Sequence, residues 1–354
     1  EDPYAGLAPE DRLARGPFPD LELFDPTEPS AEALEERALA AEDAARAVAG
    51  VTNSEGGSAS WSTTRWLMAT SGGFSGPHEI SGFSVSASVI AGDGDGMERG
   101  GEGRSTRWQG DLPSSQAIGT TAGEKAVARL GARKIESVTA PVIFENRIAT
   151  SIISPFVGAI SGTSVARGTS FLKDRLGQRV FPTGFRISDE PHRPRGLGSI
   201  PFDDEGVATR EVDLVADGIL TTWLLNVASA RQLGMETTGH ASRHLASAPG
   251  VGPNNLTVQP GTRDLDGLMA DAGVGLLVTS MFGPSLNPNT GDWSAGVSGF
   301  WFENGQIAYP VNEITVAGNL IDIYGRIIAG SDLELRGASN SPSLLVDNLA
   351  IAGR

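Results

Sequence analysis

Histidines and carboxylates are the side chains from which this sequence could build hydrolytic or metal chemistry, so their spacing comes first. The chain has four His (His78, His192, His240 and His244) and no Cys. His78-Glu79 begins like a zinc-protease helix, in which two His four apart share a metal and the Glu activates water. The residues that follow are Ile80-Ser81-Gly82-Phe83, so no second His arrives, and the local alternation is that of a strand. His78 therefore reads as a surface or turn residue. His240 and His244 have the i, i+4 spacing that sets two side chains on one helical face, which makes them the candidate metal ligands. Gly239 precedes them, Pro249-Gly250 follows, and no carboxylate stands between them to act as third ligand or base. A polar loop with exposed His is the expectation there.

The carboxylate clusters are equally incomplete. Asp93-Gly94-Asp95-Gly96 resembles the start of a calcium loop, but Met97 holds the next ligand position and Arg104 stands where a bidentate Glu belongs. A hairpin turn is expected instead. Asp203, Asp204 and Glu205 beside Gly206 read as a solvated turn. The sequence contains no Gly-x-x-x-x-Gly-Lys-[Ser/Thr] phosphate loop and no Gly-x-Ser-x-Gly elbow.

Composition narrows the function classes further. The 354 residues carry a formal charge of −16, which disfavours phosphate neutralisation and hence nucleic acid as a partner. Without Cys there are no disulfides and no thiolate nucleophile or ligand. No run approaches the ~20 apolar residues of a membrane helix, so the expectation is a soluble, cytoplasmic chain without a membrane partner. An acidic, sheet-rich chain with no complete catalytic constellation suits a binding or partner subunit better than a self-sufficient enzyme.

The elements that would position these residues follow from periodicity. Residues 1–29 are Pro- and Asp-rich and read as an extended connector. Ser30 caps a helix running to Val48, with Glu32, Glu35 and Glu36 at its N-terminal end. Ser60–Met68 and Ile80–Ile90 alternate as half-exposed strands, followed by a Gly92–Gly103 hairpin loop and Ser105–Trp108. Helices are expected over Ser115–Leu130, Ile148–Val157, Arg263–Gly273 and Asn319–Ile328, and strands over Lys134–Phe144, Val274–Met281 and Leu344–Ile351. Asp217-Gly218 and Asn304-Gly305 each sit between alternating runs, as type I′ hairpin turns require. The fold class is α+β, with large, mostly antiparallel sheets. Its division is a connector (1–29), an α+β subdomain (30–131) and a β-rich C-terminal domain (132–354).

An ordered series of short motifs resembles one known family. Ala140-Pro141-Val142-Ile143-Phe144-Glu145-Asn146, Val157-Gly158-Ala159-Ile160-Ser161-Gly162 and Pro201-Phe202-Asp203-Asp204-Glu205-Gly206-Val207 come first. Asp217-Gly218-Ile219-Leu220-Thr221-Thr222-Trp223, Thr238-Gly239-His240, Thr290-Gly291-Asp292-Trp293, Phe302-Glu303-Asn304-Gly305 and Glu313-Ile314-Thr315-Val316-Ala317-Gly318-Asn319 follow in the family's order. The series resembles the TldE (PmbA) branch of the TldD/PmbA family, once called modulator of DNA gyrase (peptidase U62). The resemblance implies a two-subunit cytoplasmic peptidase acting on unfolded peptides, such as microcin precursors and antitoxins. Its TldD subunit carries His-Glu-x-x-x-His and a Cys on zinc, and its TldE subunit helps enclose the chamber without that motif.

Carried over by register, the His-Glu pair falls on Ser154 and Pro155, and the second His on Ala159. The resemblance thus implies a chain with no catalytic residue, metal or cofactor of its own, zinc being held by a TldD-like partner. The expected assembly is a heterodimer with that partner. The alternative is a homodimer that binds peptide or acts structurally without a protease. The resemblance also implies that a further α/β domain precedes the connector.

Overall fold

The structure is a computed structural model that describes residues 2–243 and 246–353. α1 (Ala31–Arg46) starts at Ser30, whose hydroxyl accepts the Ala33 N–H at 3.2 Å. β1 (Val51–Ala69), β2 (Ser75–Ala91) and β3 (Glu98–Thr106) form an antiparallel sheet, followed by α2 (Ser115–Ala128). Val85, Ala87, Val89 and Ala91 on one face of β2 bury against Ala41 and Ala45 of α1 and Ile118, Ala122 and Ala126 of α2. The helices lie close enough that a Cβ at Gly57 would collide with the Ala38 carbonyl, and one at Gly100 with the Ala126 backbone.

The opposite face has the other parity of the alternation. Across the strands it reads Gly56–Ser88–Gly101, Ser58–Ser86–Gly103 and Ser60–Ser84–Ser105. The Gly92–Gly103 stretch is therefore only partly the loop expected of it. Residues from Glu98 onward pair with β2, because a strand against a packed helix needs glycine where the helix comes closest.

The second half begins with β4 (Val138–Phe144), α3 (Asn146–Ala159) and α4 (Gly162–Ala166). β5 (Ile187–Asp189), β6 (Val212–Ala216), β7 (Ile219–Leu220) and α5 (Val227–Leu233) follow. Next are β8 (Ala241–Ser242), β9 (Gly250–Val251), β10 (Leu256–Val258) and α6 (Leu265–Ala272). β11 (Val274–Leu286), β12 (Asp292–Glu303), β13 (Gln306–Asn319), α7 (Leu320–Arg326), β14 (Ile328–Ala329), β15 (Ser339–Asn340) and β16 (Leu344–Ala352) complete the chain.

Strands in the order β13-β12-β11-β4-β16 close on themselves through β13–β16 pairing, giving a barrel with β14 attached to β16. Only the β4–β11 junction in it is parallel. A smaller sheet has the order β15-β10-β5-β6-β7. Both expected turns form with positive φ at each central residue: Asp217 49° and Gly218 76°, Asn304 53° and Gly305 73°. The architecture is the expected α+β.

α3 packs against this barrel through Ala149, Ile152, Ile153, Phe156 and Ala159, which share one core with Phe144, Phe181 and Tyr324. The Tyr324 hydroxyl, fully buried, donates to the Ile152 carbonyl at 3.0 Å and fixes the helix along its axis as well as around it.

Two polar devices tie the smaller sheet and the N-terminal segment to this frame. Asp189, with no exposure, accepts the Asn254 backbone N–H and the Asn254 side-chain amide, both at 2.9 Å, and pairs with His240 Nε2 at 3.1 Å. The other ring nitrogen of His240 meets Thr238 Oγ1 at 2.8 Å. Asp203, also fully buried, accepts backbone N–H groups from Glu205, Val207 and Ala241, while Glu205 accepts the Val227 N–H at 2.8 Å. The same loop holds the N-terminal segment through Ala14 N–H to the Gly206 carbonyl and Ala208 N–H to the Arg12 carbonyl.

Both devices have measurable consequences. Asp189→Ala strands His240 and two amide donors in the interior, so it is expected to cost roughly 3–5 kcal/mol in urea denaturation. A loss under about 1 kcal/mol would show that the pin does not hold the sheet. Burial pushes Glu205 up to about 7 and Asp203 up to about 6, against ordinary values of 4.5 and 3.8. The native state then holds these protons more tightly than the unfolded chain. Their contribution is fully present below about pH 4 and is lost as pH rises through 6 to 7. Glu205→Gln is expected to flatten the fall in denaturation midpoint between pH 5 and 8, and an unaltered slope would discount the group.

Candidate functional site

The helix that carries the degenerate motif positions is α3, and its orientation is set from the core outward. With Ile152, Ile153, Phe156 and Ala159 turned inward, 100° per residue places Arg147, Ser151, Ser154 and Gly158 along the opposite stripe. Ser154 is exposed, and its hydroxyl donates to the Thr150 carbonyl of its own helix at 2.9 Å. Pro155 is half-buried and has no N–H to give its preceding turn. Ala159 is buried in the core. The three positions bring together one hydroxyl already used by the backbone, a ring and a methyl.

The stripe begins in a cleft of about 650 Å³ where three parts of the chain meet. Its floor is the Ser–Gly face of the first sheet, with Ser58, Ser86 and Ser88; its walls include Arg147 and Ile148 of α3, and Arg336. Ser154 lies seven positions beyond Arg147, about 10 Å along the helix axis. Glu55 in the lining accepts the Ser88 hydroxyl at 2.6 Å, and Glu102 and Arg336 of the lining belong to a chain of ion pairs that runs beyond it. Glu102 pairs with Lys125 and with Arg336 Nη1 at 2.8 Å; Arg336 also pairs with Glu334 at 2.6 Å, and Glu334 with Arg104. Arg147 pairs with Glu145 at 2.6 Å. Burial works against the Glu102 carboxylate, yet Lys125 and Arg336 hold it below the usual range. Of these residues only Glu145 belongs to one of the motifs quoted from the sequence. The clue available in the sequence was the row of serines and glycines on one strand face.

The other candidates are dispersed. His78 is not a surface or turn residue: it lies in β2, buried, with its ring 4.8 Å from Trp66 and 6.4 Å from Phe202. Burial depresses its pKa, and Arg107 adds to the effect. His240 is likewise not in an exposed polar loop, because the remote Asp189 gives its ring a buried partner. His244 lies outside the described residues. His192 Nε2 meets Thr209 Oγ1 at 3.0 Å. Gly94–Gly96 form a single 3-10 turn between β2 and β3. The acidic turn is not a solvated one throughout: Asp203 is fully buried, since the N–H groups of its own loop and of β8 converge on it. Among the described residues, no three His, Asp or Glu side chains gather where they could hold a metal ion.

Comparison with known proteins places this geometry in a family. Residues 24–130 match the PmbA/TldA metallopeptidase central domain, and residues 137–353 match the C-terminal domain of the same metallopeptidases. The chain is 39% identical to the metalloprotease PmbA of Escherichia coli O157:H7, over 100% of this chain and 77% of that protein. It is 41% identical to the PmbA homologue of Haemophilus influenzae, over 99% of this chain and 76% of that one. The crystal structure of a modulator-of-DNA-gyrase protein from Bacteroides thetaiotaomicron superposes with a TM-score of 0.90 at 28% identity, covering 100% of this chain and 79% of the other. TldE from Thermococcus kodakarensis shares the fold, with a TM-score of 0.85 at 22% identity, over 100% and 80% of the two chains. The chain belongs to the PmbA/TldD metallopeptidase family.

Proposed function

We propose that this chain is the non-metal subunit of a TldD/TldE-type metalloprotease and forms part of the chamber that receives unfolded peptides. The observation that carries this reading is what α3 holds at the positions that register with a zinc motif: an outward hydroxyl bonded to its own backbone, a half-buried proline and a core alanine. A zinc site in this family's partner subunit would need two imidazoles and a thiolate, and the chain has no Cys. The open Ser–Gly face beside α3 supports a chamber wall. Side chains no larger than serine leave the floor accessible to an extended backbone of varied sequence.

In this reading the protein works in the cytoplasm as a heterodimer with a zinc-bearing, TldD-like subunit, which performs the cleavage. Mixing the chain with a partner carrying His-Glu-x-x-x-His is expected to give a 1:1 complex by light scattering. Cleavage of an unfolded peptide is expected only in the mixture, and a chelator should abolish it. Chelator-resistant cleavage by this chain alone would overturn the reading. So would a homodimer that persists in excess partner.

A further inference from the structure

The first sheet ends on a strand whose outer edge is unpaired. β1 is the edge of the order β1-β2-β3 and pairs with β2 alone among the described residues. Its irregularities lie between Val51 and Asn53 and between Ser54 and Gly56, so from Gly57 to Ala69 the register runs unbroken. That stretch contains no Pro and no Lys, and no bulge turns it away. Those are the devices by which proteins keep an exposed edge from pairing. The hairpin turn fixes which backbone groups face outward. The Thr70 N–H donates to the Phe74 carbonyl at 3.0 Å, which makes Ala69 and Ser75 a non-hydrogen-bonded pair. By alternation Ser62, Thr64 and Trp66 turn their N–H and C=O groups toward β2, and Trp61, Thr63, Arg65 and Leu67 turn theirs to the open side.

The composition of this edge selects its occupant. In a chain of formal charge −16, the run from Gly57 to Gly73 holds Arg65 as its one charged residue, and Arg65 pairs with Glu79 of β2. A second acidic subunit can approach there without repulsion. The turn end adds exposed apolar surface. Leu67 keeps 66% of its surface, and Leu7, packed where a Cβ at Gly72 would touch it, keeps 48%. The free edge is roughly 40 Å long at about 3.3 Å per residue and, with its helix layer, about 20 Å deep. It thus presents about the 800 Å² that each partner of a standard interface contributes. A bound peptide would use the backbone groups and leave the helix layer bare. We infer that β1 pairs antiparallel with the equivalent strand of the partner subunit, joining two sheets into one. Residues 24–130, which contain β1, are the family's central domain, so a partner from the family brings such a strand. A twofold relation between equivalent strands makes their pairing antiparallel. The inference rests on the heterodimer reading and names the seam of that heterodimer.

Residue-resolved hydrogen exchange of the full chain, alone and mixed with a partner carrying His-Glu-x-x-x-His, tests the seam. In the complex the amides of Trp61, Thr63, Arg65 and Leu67 are expected to slow about tenfold or more, while those of Ser62, Thr64 and Trp66 are slow in both states. Thr63→Pro removes an outward donor and leaves the β2 ladder intact, so it is expected to weaken the complex roughly tenfold. Should that variant fail to fold, Leu67→Asp places a charge in the seam from an exposed position and is expected to weaken the complex similarly. Ile307→Asp, at an exposed apolar position on the barrel, is expected to leave the affinity unchanged. A 1:1 complex in which the outward amides still exchange fast overturns the seam and leaves the heterodimer reading standing. Absence of any complex overturns the two together. Outward amides that are already slow in the unmixed chain, or that an unfolded peptide alone slows, overturn the assignment of this edge to the partner's strand.

Discussion

Everything at the candidate site depends on how α3 is clamped against the barrel. The helix buries Ala149, Ile152, Ile153, Phe156 and Ala159, and Phe156 packs edge-on against both Phe181 and Tyr324, at centroid distances of 5.2 and 6.1 Å. Each fully buried aromatic of this kind contributes a few kcal/mol, so rotating α3 by even one residue would forfeit most of that contact. The Tyr324 hydroxyl bond to the Ile152 carbonyl opposes sliding. With rotation and translation both fixed, the outward stripe of Arg147, Ser154 and Gly158 has no freedom to present anything else. The chemistry available at Ser154, Pro155 and Ala159 is thus a consequence of core packing.

The first sheet supplies the complementary constraint. It uses small residues on both faces for different physical reasons. Toward α1 and α2, Gly57 and Gly100 allow backbone-to-backbone approach, and the alanines of the helices complete a tight layer. Toward the cleft, Ser60 Oγ meets Ser84 Oγ at 2.7 Å and Ser88 Oγ donates to Glu55 at 2.6 Å. A face of hydroxyls without bulk stays hydrated and open, where a face of Val and Ile would close against α3. Substituting larger apolar residues there would extend the core into the cleft.

How much of this was legible in the sequence varied with the range of the determining contact. The Asp217-Gly218 and Asn304-Gly305 hairpins, the Ser30 cap and the amphipathic α3 are local, and each was readable from a few adjacent residues. His240 was not, because the residue that lets it be buried, Asp189, lies 51 positions away. His78 was misread for a similar reason: its burial comes from Trp66 across the hairpin and Phe202 in the other half of the chain. The start of β3 at Glu98 was hidden because glycines carry no periodicity, and only the partner strand reveals that they are paired. The closure of the barrel is the extreme case. β13 and β16 give no local sign that Thr315 will face Ala352.

The ion-pair chain in the cleft belongs to this last class and shows why motif reading alone would have missed it. Glu102, Lys125 and Arg336 lie far apart in sequence, and each taken singly reads as an ordinary surface charge. Together they are only partly exposed: the Glu102 side chain keeps 6% of its surface, Lys125 18% and Arg336 28%. Charges that sheltered are screened far less by salt than surface pairs, and removing one partner leaves the others uncompensated. Such a network offers little net stability compared with packed apolar residues of the same volume. What it does supply is registration: through Glu102 it ties β3 to Lys125 of α2 and to Arg336 before β15.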